Sequence, residues 1–255
     1  MVWMSIDFTP QVGSAKKISM IAAHSKMEFR LLSRQGEQLI VTMVIPLIAL
    51  IVGTNIASGA NPIDTAAPGA LALAIMSSSF TSLAVSTGFE RRYGLLRRLA
   101  TTPLSRMALL VGKAGAVAIT QVGQLTILAA VAFLMGWQPQ GGAVAAVWLV
   151  AMALLGTAAF GSLALLLAGT LRAEATLGIA NLVYIILLVG GAIVMPLDSY
   201  PPLAVSILQF LPSSALGESL RTIFTGNNPD SFSILVLAAW ALIAGIWASR
   251  SFKWE

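Results

Sequence analysis

Six runs of about 20 apolar residues take up most of this chain, each long enough for a helix to cross a bilayer. They lie at approximately Gln38 to Ala57, Ala66 to Gly88, Ala108 to Met135, Ala143 to Gly169, Thr176 to Met195 and Phe232 to Ser249. Nothing else constrains the fold as strongly, because a backbone surrounded by hydrocarbon must satisfy its own hydrogen bonds, which a helix does within one segment. Charged residues make up 10% of the 255, against about a quarter in an average soluble domain. No segment remains for a separate soluble core. The expected fold is an all-α integral membrane protein with six transmembrane helices, residues 1–36 forming a cytoplasmic leader and residues 37–255 the six-span domain.

An even number of spans puts both termini on one side. With the amino terminus inside, 14 of the 15 Lys and Arg residues fall at the cytoplasmic face or its boundary, and only Arg221 falls outside. The excess of Lys and Arg on one side fixes the expected orientation. It also explains the net charge of +5 without nucleic acid, which is not an expected partner. Lys113 is expected to snorkel from the third run to the inner surface. There is no cysteine, which rules out disulfides, thiolate metal sites and cysteine nucleophiles, and leaves the redox compartment open. The long amphipathic leader is unlike a short cleavable signal, so the first run is expected to stay as a span.

Within that leader, Ile18, Ile21, Ala22, Ser25, Phe29 and Leu32 share one helical face while Lys26, Arg30 and Arg34 form a row on another. Such a helix is expected to lie along the inner membrane surface with its basic groups at lipid phosphates. Between the fifth and sixth runs, Pro196, Pro201, Pro202, Pro212 and Pro229 divide an apolar outer segment. This predicts two short helices, Leu203 to Leu211 and Ala215 to Phe224, each too short to cross.

The cores of the spans hold no Asp, Glu, Lys, Arg or His, so a driving ion would have nothing ionisable to bind. The phosphate-cradling G-x-x-x-x-G-K-[ST] loop is also absent. The single histidine, His24, sits in the leader with no paired carboxylates or metal-ligand cluster inside the membrane, and catalysis in this chain is not expected. Uncharged polar residues do occur in the spans: Gln121 and Gln124 one turn apart, Ser77-Ser78-Ser79 with Thr81 and Ser82, and Asn181 with Tyr184. Hydrogen bonding between helices is one role for them. The other is a substrate path, for which the longer side chains Gln121, Gln124, Asn181 and Tyr184 are the candidates. The small residues Gly156, Ala159 and Gly161, and Gly112, Gly115 and Gly123, are expected to allow close helix packing.

Six of the 25 charged side chains fall between Phe89 and Arg106, joining the second and third runs. On a helical wheel Phe89, Tyr93, Leu96 and Ala100 share one face while Glu90, Gly94, Arg97 and Arg98 lie on the other. The pattern predicts a short amphipathic helix ending before Pro103, with Thr102 and Pro103 starting the next span. Topology accounts for the arginines, but not for the Glu90-Arg91-Arg92-Tyr93-Gly94 start or the Thr102-Pro103-Leu104-Ser105-Arg106 ending.

Those two segments, with Leu99 between them, resemble the glutamate, glycine and T-P-x-S-R pattern of the ABC-2 type permeases, the membrane subunits of bacterial ABC exporters. Gly190-Gly191, Pro196, Leu211-Pro212 and Leu220-Arg221 are similar to that family's outer-face pattern. The resemblance implies a half-transporter in the bacterial inner membrane, both termini cytoplasmic, paired with a second permease copy or a related permease. It would dock on two copies of a cytoplasmic ABC ATPase that carries the ATP and Mg, with no cofactor in this chain. The loop between spans two and three would be the coupling helix, with Glu90, Arg91, Tyr93, Gly94, Arg97 and Arg98 at the ATPase interface, and the leader from about Lys17 to Gln35 would be the interfacial connecting helix. The uncharged spans favour export of a hydrophobic or amphipathic, drug-like or lipid-like cargo. Alternatives are polysaccharide or lipid-linked polymer export and, outside the class, an ATP-independent secondary transporter or a membrane scaffold.

Overall fold

The computed structural model describes residues 36–56, 61–95 and 106–251, together with 19–20, 22–23, 25–27 and 30. Every described element is helical: α1 (Gly36–Ile56), α2 (Ile63–Met76), a π-helical turn (Ser77–Ser82), α3 (Leu83–Arg92), α4 (Arg106–Leu134), α5 (Gly142–Thr170), α6 (Ala173–Gly190), a 3-10 turn (Leu197–Ser199), α7 (Pro202–Leu208), α8 (Pro212–Phe224) and α9 (Ser231–Ser251). Each of the six apolar runs carries a helix, although that of the fifth ends at Gly190, five residues before Met195. Among the described residues, four helices are long and apolar enough to cross a membrane: the continuous rod Ile63–Arg92, Val111–Leu134 within α4, α5 and α9. The apolar stretches Thr42–Asn55 and Glu174–Gly190 are shorter, and α7 and α8, bent by 100° at their junction, are the one broken pair that passes only together.

The rod made of α2, the π turn and α3 is the axis of the molecule. Its apolar stretch is 83% buried, against 28% for each of the other three long helices. Small residues let neighbours approach it. A Cβ on Gly53 of α1 would lie 3.2 Å from the Cβ of Ala66, and one on Gly156 of α5 would lie 3.3 Å from Ile75. Gly161 of α5 faces Leu83 in the same way. The expectation of close packing fails at Gly123, where a Cβ would meet nothing within 4 Å. α5 and α9 form the most extensive helix pair.

The chain direction gives the bundle two ends. Arg91 reaches the carbonyl of Leu171, so the α3 and α5 carboxyl termini share one end. At the other, Gln140 N–H donates to Phe224 O at 2.9 Å and Trp148 Nε1 to Asn228 Oδ1 at 3.0 Å, joining the α4–α5 and α8–α9 turns.

The two short helices expected between the fifth and sixth runs are present, but α7 and α8 begin at Pro202 and Pro212, one and three residues before their expected starts. Proline at the first helical position has no N–H to leave unpaired and a backbone angle already suited to a helix. The predicted amphipathic helix after Phe89 is corrected in its first turn: Phe89 to Arg92 complete the axial rod rather than opening a separate helix. Nothing in Thr87-Gly88-Phe89 stops an α-helix, which runs on until Gly94 turns it at φ +69. Arg97, Arg98 and the Thr102-Pro103 corner lie outside the described residues, as does most of the leader.

Candidate functional site

In an α-helix successive side chains point about 100° apart. The last turn of α3 uses this to send three adjacent charged residues to three different helices. Glu90 Oε1 accepts from Lys113 Nζ of α4 at 2.6 Å. Arg91 Nη1 donates to the carbonyls of Ala168, Gly169 and Leu171 at 3.3, 3.2 and 3.1 Å, covering the end of α5. Arg92 Nη1 lies 2.8 Å from Glu174 Oε1 in the first turn of α6.

The three ties differ in weight. Arg91 supplies charge and donors to the last carbonyls of α5, which have no partner within their own helix, at the negative end of its dipole. Arg92 and Glu174 are half or more exposed, so water and salt screen their attraction and it contributes little. Lys113 and Glu90 have side chains only 1% and 11% exposed. Removing one partner of a buried pair leaves a desolvated charge behind, typically costing about 3–5 kcal/mol. The expected snorkelling of Lys113 is thus overturned: its ammonium turns inward because a carboxylate one helix away is nearer than the surface. Glu90 likewise directs Oε1 at α4.

What this end does present outward is aromatic. Tyr93 is 73% exposed, and its ring stacks on that of Phe89 with centroids 6.2 Å apart. Tyr93 N–H bonds back to Phe89 O, and Gly94 N–H to Arg91 O, closing the helix before Gly94 redirects the chain. Tyr93 and Gly94 are thus at the surface, and Arg97 and Arg98 follow beyond the described residues.

The four polar residues proposed to line a path differ in burial and in bonding partners. Gln121 Nε2 donates to Ile75 O at 3.3 Å while its Oε1 accepts from Thr157 Oγ1 at 2.8 Å, tying α4 to the axial rod and to α5. Tyr184 OH and Ser77 Oγ are 2.9 Å apart, tying α6 to the rod from another side. Gln124 is buried, and neither end of its amide has a hydrogen-bond partner among the described residues. Asn181 is exposed on α6 beside Leu182 and Ile185. The serine run forms the π turn, where Ser78 and Ser79 hydroxyls donate to Ala74 O and Ile75 O. A π turn displaces backbone bonds by one residue, which leaves Ile75 O accessible to Gln121.

Sequence reasoning placed Arg221 outside, in a segment that resembles the family's outer-face pattern, and assigned it no contacts. The structure buries it at the far end, where Nη1 donates to Ala192 O and Nη2 to Ile193 O, each at 2.7 Å. Nη1 also pairs with Glu218 Oε1 at 2.9 Å, and that oxygen accepts from Leu197 N–H at 2.8 Å. The available signal was the chain's one basic residue outside, since a charge away from the favoured side needs a local reason. Among the described residues no three His, Asp or Glu side chains converge to hold a metal ion.

Comparison with known proteins supplies the wider setting. The model of the ABC-2 type transporter family matches residues 21–225. The Bacillus subtilis (strain 168) protein named "Putative transport permease YvfS" is 27% identical over 186 residues, which cover 66% of this chain and 69% of that protein.

Proposed function

This chain belongs to the ABC-2 type transporter family, and we propose that it is the membrane permease of an ATP-driven exporter for hydrophobic or amphipathic compounds. Family membership implies association with an ATPase subunit. In this reading two ATPase copies bind a pair of permeases at the Glu90 end, which faces the cytoplasm of a bacterial cell, and both chain termini lie on that side. The six helical runs are six spans, residues 1–36 carry the interfacial connecting helix, and hydrolysis belongs wholly to the partner.

The observation that carries the reading is the three-way tie at the end of the axial rod. A load applied at Tyr93 and Gly94 is passed by Glu90, Arg91 and Arg92 into α4, α5 and α6 at once. Glu90 then acts by holding the exposed turn rigidly to α4, and Tyr93, Gly94, Arg97 and Arg98 form the contact surface. The buried charges of Lys113 and Arg221 are paired near the two ends of the bundle, and the apolar helix surfaces between them suit an apolar cargo, for which a charged lining would be a desolvation barrier.

The test is cargo-stimulated ATPase activity in the assembled complex. Arg91→Gln is expected to lower the stimulated rate by about tenfold, roughly 1.4 kcal/mol of coupling, while basal hydrolysis and membrane insertion persist. Tyr93→Ala is expected to weaken assembly of the complex itself. Full stimulation in an assembled Arg91→Gln complex would overturn the load-bearing role of this turn.

A further inference from the structure

Between α4, α5 and α9 an apolar cleft of about 540 Å³ opens on the side of the bundle, within the range of small-molecule pockets, roughly 300–1,000 Å³. Its walls include Val111 and Ala114 of α4, Ala158 and Gly161 of α5, and Leu242 and Ile246 of α9. All but Gly161 are exposed, so the opening is lateral.

Its dimensions and polarity restrict the occupant. Along α9 the lining runs from Ala241 to Ser249, about 12 Å at 1.5 Å per residue. That approaches the depth of one leaflet, roughly 15 Å of a 30 Å hydrocarbon core. The lining includes Thr157 near the middle of α5, whose hydroxyl is already bound to Gln121 Oε1 and Ala153 O. The shallow end is followed directly by Arg250, which is exposed in the last turn of α9. Within the leader, Ser25 meets α4 at Gly115, a 100° step around the helix from the cleft-lining Ala114.

We propose that this cleft holds one acyl chain of an anionic phospholipid from the leaflet on the Arg250 side, with the headgroup at Arg250. A predominantly apolar cleft that runs from mid-helix on α9 toward an exposed basic residue next to its last lining position matches a lipid tail with a negative head. It does not match a cargo that must pass through. The proposal does not depend on coupling to an ATPase, and its test uses the isolated permease.

The full-length chain, purified in mild detergent, is titrated with phosphatidylglycerol or phosphatidylcholine of equal chain length, and bound lipid is counted by native mass spectrometry. One phosphatidylglycerol is expected to be retained at least tenfold more tightly than phosphatidylcholine. Ala114→Phe with Ala158→Phe, which fills the cleft from two exposed positions, should abolish that bound lipid. Arg250→Gln, an exposed change that leaves the cleft intact, should keep the tail but remove the preference between headgroups. Equal retention of both lipids by the parent, or unchanged retention by a filled variant with parental helix content, would overturn the proposal. So would displacement of the lipid from the isolated permease by an uncharged hydrophobic compound, which would make the cleft a cargo site.

Discussion

Two glycines show how differently one residue type is used. A Cβ on Gly69 of α2 would collide with the backbone carbonyl of Ile193 and come within 3.4 Å of Arg221 Nη2, whereas Gly123 of α4 faces open space. Gly69→Ala should therefore destabilise the fold by about 1–3 kcal/mol through overpacking against rigid backbone. Gly123→Ala should stabilise it by about 0.5–1 kcal/mol by favouring the helix. Thermal unfolding in detergent measures both, and a Gly69→Ala variant as stable as the parent would deny the close crossing. The sequence could not separate these glycines, since each looks like a small residue in an apolar run. Lys113 was misread for a similar reason. Its depth was legible, but whether it snorkels or turns inward depended on Glu90, 23 residues away, arriving from another helix. For this pair, Lys113→Met alone is expected to cost about 3–5 kcal/mol, and Glu90→Gln with Lys113→Met to cost clearly less than the sum of the single changes. Additive losses in a double-mutant cycle would show that the two groups do not stabilise each other.

At the level of elements, the end of the bundle at Arg221 is held by side chain to backbone bonds. Arg221 joins α8 to the turn after α6, where Ala192 adopts φ 51, and Gly191 and Gly217 allow these segments to touch. The planar fork of arginine serves two carbonyls and a carboxylate together, which the point charge of lysine cannot reproduce. Arg221→Lys should accordingly be intermediate between the parent and Arg221→Met. Hydrogen exchange of the amides from Ala192 to Ser199 reports this, and protection unchanged in Arg221→Met would mean that another contact closes that end. The existence of α7 and α8 was legible because prolines break an apolar segment. Their starts were not, because the same prolines also serve as first helical residues. At the opposite end, helical periodicity correctly found the faces of Phe89 and Tyr93 but could not tell a new helix from the continuation of an old one.

Across the whole molecule, burial and hydropathy diverge in an informative way. The axial rod is less apolar than α5, with mean hydropathy 1.5 against 2.2, yet 83% buried against 28%. A soluble protein would put its greasiest helix in the centre. Here the periphery must match hydrocarbon, while the centre is packed by small and hydroxyl-bearing residues that bond across helices. The sequence therefore revealed that there are six apolar runs, but not that the second is the axis around which the others pack. The absence of cysteine makes the arrangement directly testable. Single cysteines at Tyr93 and Asn227, both exposed and at opposite ends of the bundle, are expected to react with a membrane-impermeant maleimide from opposite sides, Tyr93→Cys only in inside-out vesicles. Val122→Cys, 67% exposed on α4, should react only with a lipid-soluble reagent, and Ala72→Cys, at 0% exposure in the axial rod, with neither until the protein unfolds. Labelling of both end positions from one side would require an even number of crossings between them and would break the six-span topology. Ready labelling at Ala72 would instead remove the axial rod from the centre, and with it the path by which a load at Tyr93 reaches three helices together.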